Sequence, residues 1–257
     1  ANRKLQDTVR ERTRQIEEER NQVLAYSKEL EMLNKQKDQL FINVIHELKT
    51  PLAVLNGPFN YLERVNYLPD RDKVKSFSLL ASQSLQDIQS LMEGLNQLVN
   101  LSKKDRPKPE LTPVWLYLFL VQRFNMGKAL AHFHGVNLEY RVDVPKGTSY
   151  LTAPSYLSVI LNNLINNAVK YTPRSRKVVV DAALQNQVCK VVVRDEGPGI
   201  PDSFLEKVFD RFFQVPGDGK SGGLGVGLAI VKDYLQQLGG SVTVSSQPGK
   251  GAVFTVQ

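Results

Sequence analysis

The chain has 257 residues, of which 42% are hydrophobic and 23% are charged, a balance that leaves room for two folded domains. Its longest apolar run, VWLYLFLV at 114–121, is far too short to span a membrane, and its single cysteine excludes an internal disulfide. The net charge of +7 could indicate a site for nucleic acid or an anionic membrane surface, but a solvated basic face is favoured because no basic run is interleaved with aromatic residues.

Residues 1–40 are predicted to form a coiled-coil helix. Apolar residues recur there in alternating steps of three and four, with polar interruptions at Arg12, Glu19 and Lys37. Beyond Lys37 the apolar stripe continues in a new phase, which is a stutter. The stripe consists of Leu5, Val9, Ile16, Val23, Tyr26, Leu30, Leu33 and Leu40, and then of Phe41, Ile45, Leu48, Leu52, Leu55, Phe59 and Leu62.

Residues 41–104 are predicted to form a long antiparallel helical hairpin. Pro51 and the pair Gly57-Pro58 should bend the first helix rather than end it, because the stripe runs through them. The turn YLPDRD at 67–72 then leads into a second helix. Two helices enclose little core, so we expect a second copy to complete a four-helix bundle. The stripe of the second helix is Val74, Phe77, Ala81, Leu85, Ile88, Met92, Leu95 and Val99.

The charged, proline-containing stretch 105–110 is predicted to be a linker, and 111–257 an α/β sandwich with helices on one face of a sheet. The fold class is therefore α+β, a helical hairpin followed by this sandwich. Helices are predicted near 115–132, near 155–170 and after Gly227, and strands near 136–142, 177–184, 188–195, 241–246 and 251–256.

The stretch NNLINNAVKYT (162–172) is the first of four in the second domain that could bind a ligand. Asn163, Asn167 and Lys170 are spaced so that they share one helix face beside the apolar face. An amide oxygen can ligate Mg²⁺ and an ammonium can meet phosphate. Taken alone, the stretch is better explained as a capped surface helix with polar side chains.

The second stretch, VVVRDEGPGI (191–200), ends a predicted strand. Alternation along the strand puts Asp195 on the same side as the buried valines, where its carboxylate needs a donor such as an adenine amino group. Gly197 and Gly199 then allow the backbone to pass close to a ligand. A plain turn after a strand is the alternative.

The remaining two stretches are FDRFFQ (209–214) and GDGKSGGLGVGLAIVK (217–232). The first is aromatic and basic, and alone it indicates a helix end that packs on the core. The second is a glycine-rich loop that runs into a helix start, where backbone N–H groups and the helix dipole can hold phosphate. It lacks the spacing of a Walker A loop.

Together and in this order, the four stretches resemble the N, G1, F and G2 boxes of the histidine kinase ATP-binding domain, within the wider fold of the gyrase and Hsp90 ATPases. A fifth stretch, FINVIHELKTPLAV (41–54), resembles the H box on the first helix of that family's dimerization and phosphoacceptor domain. The resemblance covers residues 30–257 and implies a two-component sensor histidine kinase that uses ATP and Mg²⁺.

The resemblance also implies a role for individual residues. His46 is the phosphoacceptor, Glu47 orients its imidazole and takes its proton, and Thr50 places water when a partner response regulator is dephosphorylated. Departures from the family pattern are Ala153, Leu224, Val226 and Ala252. The metal is assigned to Asn163 and Asn167, and the nucleotide contacts to Asn163, Asn167, Lys170, Tyr171, Asp195, Gly197, Gly199, Gly223, Gly225, Gly227 and Leu228.

The partners implied by the resemblance are a second copy of the chain, a response regulator receiver domain and an upstream sensor joined through residues 1–40, without nucleic acid. We expect a cytoplasmic fragment without a membrane segment, excised from a membrane-anchored protein.

The alternatives are a catalytically inactive scaffold that binds nucleotide and a gyrase-like or MutL-like ATPase acting on DNA. His132 and His134 fall on different helix faces, so we interpret them as helix-end residues rather than as a metal pair.

Overall fold

The structure is a computed structural model that describes residues 2–64, 70–102, 109–216 and 224–257. Contacts divide the chain into two compact units, Ala1–His46 and Glu47–Gln257. None of the described helices is long and apolar enough to cross a membrane. The elements are helices α1 (Asn2–Arg64), α2 (Arg71–Ser102), α3 (Leu116–Phe133), α4 (Pro154–Tyr171) and α5 (Gly227–Leu238), and strands β1 (Thr112–Trp115), β2 (Asn137–Asp143), β3 (Ser149–Thr152), β4 (Lys177–Gln185), β5 (Val188–Asp195), β6 (Val242–Ser246) and β7 (Ala252–Val256).

The first unit is the amino-terminal part of α1. Its surface carries ion pairs one helical turn apart, Arg14 with Glu18 at 3.1 Å and Lys35 with Glu31 at 2.8 Å. Such exposed pairs stabilise a helix by only about 0.3–0.5 kcal/mol each. The stripe residues between 16 and 33 are solvent-exposed in the single chain, as Val23 illustrates at 65%.

Helix α1 runs through both of its prolines and ends at Arg64, which confirms that the prolines do not terminate it. Helix α2 begins at Arg71 because Asp70 caps it: the Asp70 carboxylate accepts a hydrogen bond from the Lys73 N–H at 2.8 Å. Residues 67–69 of the predicted turn lie outside the described residues.

The carboxy-terminal part of α1 and the start of α2 form the predicted hairpin. The rings of Tyr61 and Phe77 meet edge to face at 5.5 Å, and the Lys73 ammonium donates to the Tyr61 hydroxyl at 2.9 Å. Further along α2, one face is buried within the second unit and another is not. Ser84, Leu91 and Leu98 are 2–7% exposed, whereas Leu85, Met92 and Val99 are 52–60% exposed.

The sandwich has a five-stranded sheet in the order β2-β4-β5-β7-β6. Strands β2 and β4 pair in parallel and the other pairs are antiparallel. Burial alternates along β4, which shows that one face of the sheet is covered. Helices α3, α4 and α5 supply that cover, and Phe124, Ile160 and Ile230 are fully buried in the resulting core.

The structure adds elements that the sequence did not predict. Strands β1 and β3 form a separate antiparallel pair, with Thr112 opposite Thr152. Two short 3₁₀ turns, Asp202–Phe204 and Lys207–Phe209, follow β5, so the FDRFFQ stretch begins at the end of a turn and not of an α-helix. Of the predicted linker 105–110, only residues 109 and 110 are described.

Candidate active site

A cavity of about 620 Å³ lies in the second unit, a volume that suits a small-molecule ligand. Its wall combines α4, the end of β5, the start of α5 and the helical hairpin. Gly197 is not a wall residue, Gly223 lies outside the described residues, and His46 is an exposed residue of the first unit. The predicted residues in the wall are Glu47, Thr50, Asn163, Asn167, Lys170, Tyr171, Asp195, Gly199, Gly225, Gly227 and Leu228.

Asp195 is held at the end of β5 by the backbone around it. Its Oδ1 accepts hydrogen bonds from the N–H of Gly197 at 2.9 Å and of Ala252 at 3.1 Å. Burial raises the pKa of this carboxyl, and the two hydrogen bonds partly oppose that increase. Among the described residues both contacts fall on Oδ1, so Oδ2 can accept a hydrogen bond from a ligand.

The loops beside Asp195 depend on glycines because backbone passes against backbone. A Cβ at Gly199 would lie 2.1 Å from the Gln247 carbonyl oxygen, and one at Gly251 would lie 1.8 Å from that of Asp195. Both residues have a positive φ, at 74° and 77°. Ser246 connects the two loops, since its hydroxyl accepts from the Ile200 N–H at 2.8 Å and donates to the Gly251 carbonyl at 2.6 Å.

Asn163 directs its amide oxygen towards the start of α5. Its Nδ2 donates to the Val159 carbonyl at 2.9 Å, which fixes the orientation of the amide. A Cβ at Gly227 would lie only 2.6 Å from Asn163 Oδ1, so the glycine keeps this space open. The amide oxygen therefore faces the amino-terminal end of a helix, where the helix dipole favours anionic groups.

The oxygen donors on α4 fit a hard divalent cation. Mg²⁺ takes few protein ligands and relies on phosphate oxygens and water, a set that Asn163 and Asn167 can complete. In the parts of the chain that the structure describes, no cluster of three or more His, Cys, Asp or Glu side chains could hold a metal ion. The amide groups of Asn163 and Asn167 are therefore candidate ligands for Mg²⁺ in this cavity.

The helical hairpin closes one side of the cavity through α2. A Cβ at Gly94 would lie 3.5 Å from Leu224 Cδ1 and 3.8 Å from Val226 Cγ2, and both of these side chains are buried. Leu224 and Val226, two of the four departures from the family pattern, therefore pack against α2. Glu47 and Thr50 of α1 line the same cavity as the α4 residues.

Sequence reasoning missed several parts of this site. Ala252 contributes through its backbone N–H and Ser246 through its hydroxyl, and neither contact leaves a pattern in the sequence. His134, interpreted only as a helix-end residue, lies in the cavity wall together with Leu130, whereas His132 does not. Gly251, just before a strand, was the one readable signal, because glycine at such a place indicates close backbone approach.

Residues 152–257 match the family described as histidine kinase-, DNA gyrase B- and HSP90-like ATPases. The sensor histidine kinase WalK of Bacillus subtilis is 30% identical over 239 residues, which are 88% of this chain and 37% of WalK. The crystal structure of full-length ShkA in complex with AMPPNP has a TM-score of 0.57 and 28% identity, covering 85% of this chain and 45% of ShkA.

A third likeness concerns the fold alone. The histidine kinase ThkA, in a crystal structure with the response regulator protein TrrA, has a TM-score of 0.59 at 20% identity, covering 87% of this chain and 63% of that one. Both the matched ATPase domain and the relatives found along most of the chain agree with the site geometry. Together they support a sensor histidine kinase catalytic core in this chain, with residues 152–257 as its ATPase domain.

Proposed function

We propose that this chain is an ATP-dependent protein-histidine kinase that phosphorylates His46 and passes the phosphoryl group to an aspartate of a response regulator. One observation carries the proposal: a single cavity wall contains Asn167, Lys170 and Asp195 together with Glu47, from the phosphoacceptor stretch. The relationship to WalK supports it. Because the chain spans only 37% of WalK, the activity of the whole protein is part of the proposal.

Asp195 reads the adenine in this proposal. Its Oδ2 accepts a hydrogen bond from the exocyclic amino group, while the Gly197 and Ala252 N–H groups hold the carboxylate in place. The Tyr171 ring and the Lys170 ammonium, which lies 5.2 Å from the centre of that ring, contact the nucleotide beyond the base. The remaining assigned contacts are Gly197 and Gly199 beside the base and Gly223, Gly225, Gly227 and Leu228 around the phosphates, with Gly223 outside the described residues.

Mg²⁺ neutralises charge on the transferring phosphoryl group when it is bound. Asn163 and Asn167 would hold it through their amide oxygens, which are neutral and leave the charge of the ion for the phosphates. The amino-terminal end of α5 adds a positive partial charge close to Asn163.

His46 attacks with a neutral ring nitrogen. A bond forms between that nitrogen and the γ-phosphorus, the bond from phosphorus to the β,γ-bridging oxygen breaks, and ADP leaves with the electron pair. The proton on the other ring nitrogen is held by the Glu47 carboxylate, which accepts its hydrogen bond and stabilises the cation as it forms. Thr50 is proposed to place the water that attacks the phosphorus of a phosphorylated response regulator, which breaks the aspartyl–phosphate bond and releases inorganic phosphate.

The organisation of the chain follows from the same proposal. Residues 1–40 transmit a signal from an upstream sensor, 41–104 dimerize and accept phosphate, 105–110 link, and 111–257 bind ATP. The exposed stripe on α2 supports a homodimer, since Leu85, Met92 and Val99 are more than half exposed. The ThkA–TrrA complex supports a receiver domain as partner. We place the catalytic core on the cytoplasmic side of a membrane-anchored protein.

Incubation with Mg²⁺ and γ-labelled ATP tests the proposal. We expect a label on the protein that acid releases and alkali does not, and none on His46→Gln. A nucleotide-binding scaffold without kinase activity, the second candidate, predicts bound ATP without transfer. Released phosphate without labelled protein would instead indicate an ATPase, and acid-labile label that persists in His46→Gln would remove the assignment of the phosphoacceptor.

A further inference from the structure

His134 is a cavity residue to which the proposed function gives no role. It follows the last residue of α3, and its backbone N–H donates to the Leu130 carbonyl at 3.1 Å. Its side chain is half-buried and lines the cavity, with its ring 5.6 Å from that of Phe133 in an edge-to-face arrangement. His132, two residues earlier, is exposed and lies outside the wall.

The end of α3 is fixed beside the end of α4. Gly135 accepts a hydrogen bond from the Ser175 N–H at 2.8 Å, and Asn137 donates to the Arg176 carbonyl at 2.9 Å. The helices themselves approach closely, since a Cβ at Gly127 would lie 2.7 Å from the Ile165 side chain. These contacts place His134 beside the carboxy-terminal end of α4, the part of that helix that carries Lys170, and both residues line the cavity.

The described cavity wall has few positively charged side chains that could donate hydrogen bonds to a phosphate chain. Its described acidic residues are Glu47, Glu93 and Asp195, and Lys170 is the one lysine or arginine among its described residues. A nucleoside triphosphate brings several negative charges, which Mg²⁺ neutralises only in part. An imidazole offers an N–H donor in either of its tautomers and in its charged form.

We propose that His134 donates a hydrogen bond to the phosphate chain of the bound nucleotide, next to Lys170. The inference rests on the proposed function, because it requires that the cavity bind a nucleotide. It assigns His134 to binding and not to the transfer step, and it distinguishes this residue from its neighbour His132.

Calorimetric titration with a non-hydrolysable ATP analogue and ADP, and competition with adenosine, test this assignment. We expect His134→Ala to lower the affinity for the analogue and for ADP by about tenfold, which is the effect of losing one hydrogen bond to a charged group. The affinity for adenosine should not change. His132→Ala is the matched control and should bind all three ligands as the wild type does. His134→Gln, which keeps a donor, should recover part of the loss.

Three outcomes would overturn the inference. If His134→Ala binds the ATP analogue as tightly as the wild type does, the side chain does not contact the nucleotide. If the substitution weakens adenosine binding as much as analogue binding, the contact is with the nucleoside and not with the phosphates. If His134→Ala unfolds, His134→Leu, which fills a similar volume without a donor, takes its place, and a folded His134→Leu that binds the analogue as tightly as the wild type would contradict the inference. A wild-type chain that binds no nucleotide would instead defeat the proposed function itself.

Discussion

The helical part of the chain and the carboxy-terminal sandwich differ in where they keep their large apolar side chains. In the sandwich, Phe124, Ile160 and Val193 are fully buried. In the helices, Phe59 and Val99 remain 62% and 60% exposed. Contiguous exposed apolar surface marks an interaction site. The comparison indicates that the sandwich completes its own core, whereas the helices that carry the phosphoacceptor stretch depend on another surface.

The largest expected effect is on dimerization through the exposed face of α2. Introducing charge with Leu85→Glu and Met92→Glu should convert a dimer into a monomer, with a rise of at least about 100-fold in the dissociation constant, because two charges would be buried in the bundle. Leu118→Glu and Leu151→Glu change residues of the sandwich that are as exposed, 63% and 64%, and should leave the dimer intact. Light scattering across a concentration series measures both, and equal behaviour of the two pairs would contradict the comparison.

The second effect separates binding from stability within the sandwich. Asp195→Asn should weaken ATP binding by about 10- to 100-fold, since a neutral amide is a poorer acceptor for the adenine amino group. The nucleotide-free variant should unfold at the same or a higher temperature, because burial already disfavours the Asp195 charge. Titration with ATP and thermal unfolding check the two expectations. A variant that loses stability and keeps affinity would reverse the assignment.

The same carboxyl predicts a pH dependence of folding. Burial raises the pKa of Asp195 above its ordinary value of 3.8, so the folded chain holds this proton more tightly than the unfolded chain does. The protonated Asp195 therefore adds to the free energy of unfolding at low pH. This added stability is lost as the pH rises from 3.8 through the raised pKa of the folded state. The stability advantage of Asp195→Asn should grow over this window in denaturant titrations, and an advantage that shrinks would contradict the prediction.

The next effect is the difference in stability between alanine substitutions at two glycines near the site. Gly249 and Gly251 have nearly the same φ, 79° and 77°, but a Cβ meets nothing within 4 Å at Gly249 and the Asp195 carbonyl at Gly251. Gly249→Ala should therefore cost only the strain of the left-handed backbone, about 1–2 kcal/mol. Gly251→Ala should cost about 2 kcal/mol more, because the backbone must shift. Chemical denaturation measures the difference, and equal costs would show that the close approach is not present in solution.

The smallest effect concerns Cys189 on β5. Burial raises the pKa of its thiol to about 11, so little thiolate forms near neutral pH. A thiol reagent at about pH 8 should react with the folded chain roughly tenfold or more slowly than with the chain unfolded in guanidinium. The chain has one cysteine, so a single rate reports on this strand. Similar rates would indicate that the sheet opens at β5.

The elements of the sandwich with strong periodicity could be predicted from the sequence. Helix α4 was expected near 155–170 and runs from Pro154 to Tyr171, and β5 was expected near 188–195 and runs from Val188 to Asp195. Strands β1 and β3 were missed because each has four residues, too few for alternation to show, and β1 also contains Pro113. A short pair of this kind is defined by its partner and not by its own pattern.

The site was predictable where the chemistry lies in side chains on regular elements. Helical spacing predicted that Asn163 and Lys170 share one helix face, and strand alternation predicted the side of the sheet on which Asp195 lies; all three line the cavity, while their roles rest on the family resemblance and stay predictions. The N–H of Ala252 and the cavity wall at His134 could not be found in this way, because backbone donors have no residue signature and the wall depends on how α3 packs beside α4. The roles assigned to His46 and Thr50 remain predictions.

The most direct test of the account is the location of the phosphate after the chain has been incubated with Mg²⁺ and ATP. Peptide mass spectrometry at neutral to alkaline pH preserves phosphohistidine and identifies the modified residue. We expect phosphate on the peptide that contains His46, and a lower yield at the same ATP concentration when Asn167→Ala or Asp195→Asn weakens the nucleotide site. Phosphate on another residue, or none on a chain shown to bind ATP, would contradict the account.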